Sequence, residues 1–150
     1  MHCLVAVPAR LESSRLPNKV LADVGGKPML QRVLERCAQA SRPSAVVLCT
    51  DSEQLLQQAK RWGFAALLTS SSCASGSERI ASVSGQLLSQ WGGSAESSLI
   101  INVQGDQPFI DPHVIDAMAD AFSHRDPAPE VMTPVYRMSA KNIHLSLIHI

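Results

Sequence analysis

The sequence has no surplus of charge of either sign: 13 basic residues face 13 acidic ones in 150 residues. A general nucleic-acid or membrane-surface binder normally carries a basic excess, so neither partner is expected. No run of eighteen or more apolar residues exists, which leaves no candidate transmembrane helix. The opening stretch MHCLVAVPAR has no basic n-region and is interrupted too early to be read as a secretory signal. The four cysteines (Cys3, Cys37, Cys49 and Cys73) form no CxxC pair, and three of them lie in apolar segments. They read as reduced core thiols of a cytoplasmic protein. The five histidines show no metal-ligand spacing, so no zinc site is expected. Neither GxxxxGK(S/T) nor GxGxxG occurs, so there is no P-loop and no dinucleotide fingerprint.

What is present is enough apolar residue for a core, 45% against 17% charged, in a length that suits one domain or part of one. Short apolar runs alternate with longer amphipathic ones. Residues 3–7, 45–49, 64–68 and 99–103 read as buried strands, and 131–135 as a fifth. Between them, Pro28 opens a helix as its first residue, with Met29, Leu30, Val33, Leu34 and Cys37 on one face. A second helix, capped by Asp51 or Ser52, carries Leu55, Leu56, Ala59 and Trp62 and stops at Gly63. Ile80, Val83, Leu87, Leu88 and Trp91 predict a third helix, ended by Gly92 and Gly93. Asp111 and Pro112 start a fourth, with Val114, Ile115, Met118 and Phe122 inward. Four strand–helix alternations with apolar strands predict an α/β, Rossmann-like three-layer sandwich built on a mostly parallel sheet. Residues 1–135 are expected to form this nucleotide-binding unit, with 136–150 an atypical tail.

In an open α/β sheet, ligands gather outside the carboxyl ends of the strands. The loop PARLESSRLPNK there places Arg10, Arg15 and Lys19 against one acid, Glu12, a charge pattern suited to a polyanion such as a triphosphate. A solvated basic loop has the same appearance. Asp106, in Gln104-Gly105-Asp106-Gln107-Pro108, follows a strand directly and can hold Mg²⁺ together with substrate phosphates and water. A turn aspartate would read the same way. The serine-rich loop ending SGSER puts Gly76 and free N–H groups at a helix start, where Ser75 or Ser77 can cap the helix or contact a ligand.

Five blocks carry a resemblance: PAR-x-x-S-x-R-L-P-x-K at 8–19, GGKPM at 25–29, Thr50-Asp51, SGSER at 75–79 and NVQGDQP at 102–108. In order and spacing they resemble the 3-deoxy-manno-octulosonate (KDO) cytidylyltransferase family, also called CMP-KDO synthetases, over about residues 1–135. The resemblance implies a nucleotidyltransferase of the nucleotide-diphospho-sugar transferase type that joins CTP to KDO. Pyrophosphate leaves, and the CMP-KDO serves lipopolysaccharide assembly in a bacterial cytoplasm. It also implies roles. Ala9, Arg10, Arg15 and Lys19 match the triphosphate-contacting loop, while Asp51, Ser75, Gly76 and Arg79 match the nucleotide and sugar pocket. Gln104 matches a sugar-side polar residue and Asp106 a Mg²⁺ ligand. Arg10, Lys19 and Asp106 are the expected catalytic set, with metal-assisted deprotonation of the sugar hydroxyl.

The sequence departs from the family pattern in three places. Cys73-Ala74 stands where many members have Asp-His, and GDQP where many have GDEP; at both, a cytidylyltransferase for 8-amino-KDO looks closer. The family's second metal-binding aspartate, much of its sugar pocket and its homodimer contacts are expected past residue 150, and the ending NIHLSLIHI matches no family pattern, as a truncated or misread end would. The alternatives are a cytidylyltransferase for another acidic sugar, a nucleotidyltransferase acting on acylneuraminate or molybdopterin, and a non-catalytic nucleotide-binding fragment. A Rossmann oxidoreductase would find its acid in Asp51 but no glycine turn in PARLESSR.

Overall fold

The computed structural model describes residues 1–12, 16–127 and 129–135. Strand β1 (His2–Ala9) lies in the middle of a four-stranded sheet with β2 (Ala45–Thr50), β3 (Ala65–Leu68) and β4 (Ser98–Asn102), in the order β3-β2-β1-β4. All three pairings are parallel. Helices α1 (Met29–Cys37), α2 (Glu53–Arg61), α3 (Gly76–Ser82), α4 (Ser84–Leu87) and α5 (Pro112–Ser123) flank the sheet.

The period of two along β1 builds two cores at once. Cys3, Val5 and Val7 face a cluster with Leu30, Val33, Leu34, Leu55 and Ile115 from α1, α2 and α5. Leu4 and Ala6 face Ile80 of α3, Leu87 of α4 and Val83 between the two helices. A strand buried on both faces has to be apolar throughout, which is why β1 shows no alternation of its own. All four cysteines are free and buried. Burial pushes the thiols of Cys37 and Cys49 up to about 12 and that of Cys3 to about 11. Among the described residues no helix is long and apolar enough to cross a membrane.

Four expectations about elements need correction. The third helix is not continuous: α3 ends at Ser82, Val83 breaks the helical dihedrals, and α4 is followed by a wide π turn over Leu88–Gly92. Serine competition explains the break, because Ser82 and Ser84 donate their hydroxyls to the carbonyls of Arg79 and Ala81. Pro28 caps α1 rather than forming its first residue. The strand after α2 begins one residue later than expected, at Ala65. Residues 131–135 form no strand, and Val131 and Val135 are exposed. Pro134 has no N–H to give a ladder, and the segment instead lines a cavity beside β4 and α5. The expected tail at 136–150 lies outside the described residues.

Candidate functional site

The chain leaves β1 toward β2 in one direction and pairs with β4 on the other side, so the sheet's switch point lies at the carboxyl ends of β1 and β4. A cleft of about 280 Å³ opens there. Its walls come from Pro8 and Ala9 at the end of β1 with Arg10 just after it, Lys19 and Val20 in the following loop, Cys73–Gly76 and Arg79 around the start of α3, and Gln104–Asp106 after β4.

The first loop is shaped before it reaches the cleft. Asn18 takes the left-handed conformation (φ 55°), which asparagine tolerates, and starts a 3₁₀ turn over Lys19–Leu21. Farther on, Gly25 and Gly26 adopt φ of 61° and 86° in succession, and Val24 donates to the Lys27 carbonyl at 2.8 Å. Two adjacent positive φ values are what a two-residue tight turn demands, and glycine supplies them without strain. Arg32 of α1 grips this turn through the carbonyls of Val24 and Gly25. One helical turn on, Arg36 Nε donates to the Ile110 carbonyl at 3.0 Å. A single helix therefore ties down both the basic loop and the Asp106 loop.

Within the cleft, Lys19 Nζ lies 2.7 Å from Asp106 Oδ2, with both side chains about half exposed. Arg10 is exposed at the mouth and has no ion pair among the described residues. Gly105 is buried, and its N–H donates to the Pro8 carbonyl at 3.3 Å, extending the β1–β4 contact past the ladder. A Cβ at Gly105 would sit 3.1 Å from that oxygen and 3.1 Å from Ala9 Cβ, so a side chain there would force the backbone crossing apart by a few tenths of an ångström.

Ser75 is the cap of α3: its side chain accepts the Glu78 N–H at 3.1 Å, and Glu78 reaches back to the Ala74 N–H at 2.8 Å. This settles the choice between Ser75 and Ser77 as cap, and likewise Ser52, not Asp51, caps α2 through the Leu55 N–H. Asp51 is instead 2.9 Å from Arg79 Nη2. The Arg79 side chain is 4% exposed, and its Nη1 also holds the Thr69 hydroxyl and the Ser70 carbonyl. Arg79 thus braces the loops after β2 and β3 against the start of α3.

Of the residues singled out in the sequence, Ala9, Arg10, Lys19, Ser75, Gly76, Arg79, Gln104 and Asp106 come together on this cleft. Asp51 does not line it and meets it only through Arg79. Arg15 lies outside the described residues. Sequence reasoning passed over Asn102, whose side chain accepts from Gln104 Nε2 at 3.0 Å, and over Thr69 and Ser70, which partner Arg79. The placement of Asn102 two residues before Gln104, on the same side of an extended chain, was the available signal.

Asp106 meets the requirements of a Mg²⁺ ligand. It is a hard oxygen donor open to the cleft, and an ammonium already stands 2.7 Å from one of its oxygens. Among the described residues no group of three or more His, Cys, Asp or Glu could hold a metal by itself. Asp106 would therefore be one ligand of a Mg²⁺ whose other ligands come from outside such a cluster.

Residues 4–146 match the cytidylyltransferase family. A 3-deoxy-manno-octulosonate cytidylyltransferase of Idiomarina loihiensis is 41% identical over 95% of this chain and 54% of its own. An 8-amino-3,8-dideoxy-manno-octulosonate cytidylyltransferase of Shewanella amazonensis is 38% identical over 94% of this chain and 56% of its own. A solved CMP:2-keto-3-deoxy-manno-octonic acid synthetase in complex with CTP superposes with a TM-score of 0.75 at 34% identity, covering 85% of this chain and 49% of that one. The chain spans about half the length of the relatives it matches.

Proposed function

The chain belongs to the cytidylyltransferase family, and on that premise we propose that it takes part in joining CTP to KDO, giving CMP-KDO and pyrophosphate. The observation that carries this reading is the meeting of a basic loop and a strand-end carboxylate at the sheet's switch point: Arg10 and Lys19 on one wall, Asp106 on the other. The KDO-handling relative and the CTP-bound homologue support the choice of both substrates.

In this reaction the anomeric hydroxyl oxygen of the sugar forms a bond to the α-phosphorus of CTP. The bond from that phosphorus to the bridging oxygen breaks, and pyrophosphate leaves in line. Such transfer asks the protein for position and charge rather than for a covalent intermediate. Arg10 and Lys19 would receive the phosphates, with the guanidinium forking across two oxygens and the ammonium acting as a point charge. Charge accumulates on the departing pyrophosphate, so these cations bind the transition state more strongly than the ground state. Asp106 would hold Mg²⁺, which when bound neutralises phosphate charge and makes the sugar hydroxyl easier to deprotonate. Arg79 would act from behind the cleft, keeping the Ser75–Gly76 wall in place.

A second reading has its own support. Cys73-Ala74 and Gln107 depart from the KDO pattern toward the 8-amino-KDO enzymes, and such an enzyme is nearly as similar to this chain. The test is pyrophosphate release by the purified protein with Mg²⁺, CTP and either KDO or 8-amino-KDO. Turnover with KDO supports the main reading and a strong preference for the amino sugar supports the second. CTP-independent release, or equal use of ATP, overturns both.

A further inference from the structure

The alternation along β4 and the two residues after it sends Ile101 and Val103 into the core under α1 and α5, and leaves Ile100, Asn102 and Gln104 on the side facing α3. On that side the three polar groups Gln104, Asn102 and Ser77 form a chain. Gln104 Nε2 donates to Asn102 Oδ1 at 3.0 Å, and Asn102 Nδ2 donates to Ser77 Oγ at 3.3 Å. Both Asn102 and Gln104 are exposed, so this pairing is not a burial requirement. It holds a flexible carboxamide in one orientation at a cleft wall, where an unheld glutamine would sample several rotamers. The Gln104 carboxamide lies over Gly76: a Cβ there would come within 3.0 Å of Oε1. With one Nε2 hydrogen given to Asn102, Gln104 offers its Oε1 acceptor and its second Nε2 hydrogen to the cleft. That acceptor–donor pair is complementary to a sugar hydroxyl, which both donates and accepts.

We propose that Asn102 is a positioning residue for the acidic sugar, acting only through Gln104, with Ser77 anchoring Asn102 in turn. This rests on the proposed function. The cleft groups facing the nucleotide phosphates, Arg10 and Lys19, belong to a different loop, so the effect of Asn102 should fall on the sugar alone.

The experiment is a double-mutant cycle in steady-state kinetics, with KM measured separately for CTP and for the sugar that the wild-type protein uses. Asn102→Ala should raise the sugar KM about five- to tenfold, the value of one oriented hydrogen bond, and leave the CTP KM within about twofold. In a Gln104→Ala background the same substitution should change the sugar KM by less than about twofold, because its target is gone. Ser77→Ala should reproduce part of the Asn102→Ala effect. An equal rise in both KM values, or an undiminished effect of Asn102→Ala in the Gln104→Ala background, would overturn the proposal. Failure of the wild-type protein to use either sugar with CTP overturns the functional reading, and this inference with it. Wild-type turnover with an unchanged sugar KM in Asn102→Ala overturns this inference alone.

Discussion

Lys19 and Asp106, 87 residues apart in the chain, meet through Nζ and Oδ2 at 2.7 Å across the mouth of the cleft. On the proposed function these are the two charges that a metal-bound triphosphate would meet, and in the structure each neutralises the other. An exposed pair of this kind contributes roughly 0–1 kcal/mol to folding. Its importance lies in placement rather than in stability.

That separation yields the first prediction. Asp106→Asn should lower Mg²⁺-dependent turnover by about a hundredfold or more, as loss of a preorganised charge contact does. The same substitution should change unfolding free energy by less than about 1 kcal/mol. Pyrophosphate-release kinetics and urea unfolding on the same preparation check both halves. Retained turnover would remove Asp106 from the site.

The opposite split is expected at Arg79. Arg79→Ala strips a largely buried ion pair of one partner and leaves the Asp51 carboxylate uncompensated, at a cost of about 3–5 kcal/mol. Lysine would not restore it, since a single ammonium cannot serve Asp51, Thr69 and Ser70 in a fork. Chemical denaturation of both variants measures this, and a loss under about 1 kcal/mol in Arg79→Ala would contradict the bracing role.

Two glycines should respond with opposite signs. Gly105→Ala places a methyl against backbone at the β1–β4 crossing and should destabilise by about 1–3 kcal/mol. Gly85→Ala, inside α4 with nothing within 4 Å of the new methyl, should stabilise by about 0.4–1 kcal/mol. Thermal melts of the two variants side by side decide the matter.

Alkaline pH should weaken the fold through its thiols. Burial disfavours the thiolates of Cys37 and Cys49, whose folded values near 12 exceed the ordinary 9.0. Below pH 9 both states hold the protons and nothing is lost. Between pH 9 and 12 the unfolded chain ionises first, so stability falls as pH rises. Denaturant midpoints across that range should decline, and a thiol reagent at pH 8 should leave Cys37 and Cys49 unmodified until urea is added.

Much of this architecture could be read from the residues because β1, β2 and β4 are apolar runs with no competing period, and α1, α2 and α5 carry clear stripes. The errors came where local chemistry opposed the pattern. Serine hydroxyls at Ser82 and Ser84 capture carbonyls that a continuous helix would use, and no count of apolar spacing registers that. The valines at 131–135 have strand propensity, yet propensity does not provide a partner. At the cleft, loop charge singled out Arg10, Arg15 and Lys19 and a strand-end position singled out Asp106, and the structure brings Arg10, Lys19 and Asp106 to one cleft. The inward role of Arg79 was hidden because a charged residue at a helix start gives no sign of what it will be buried against. Gly105 gave no sign either, since its need is for space and appears only when two loops cross.

The central position of β1 also bears on how the chain reaches this state. His2 pairs in register with Ser98, so half of β1's ladder waits for a segment synthesised about a hundred residues later. At roughly 5–20 residues per second, that interval lasts about 5–20 seconds, during which an apolar strand has emerged without its second neighbour. Contacts so distant in sequence also slow folding once synthesis ends. Nascent chains arrested before β4 should therefore be protease-sensitive and chaperone-bound, and those extended past residue 123 should not. Pulse proteolysis of ribosome-held chains of graded length would locate the transition.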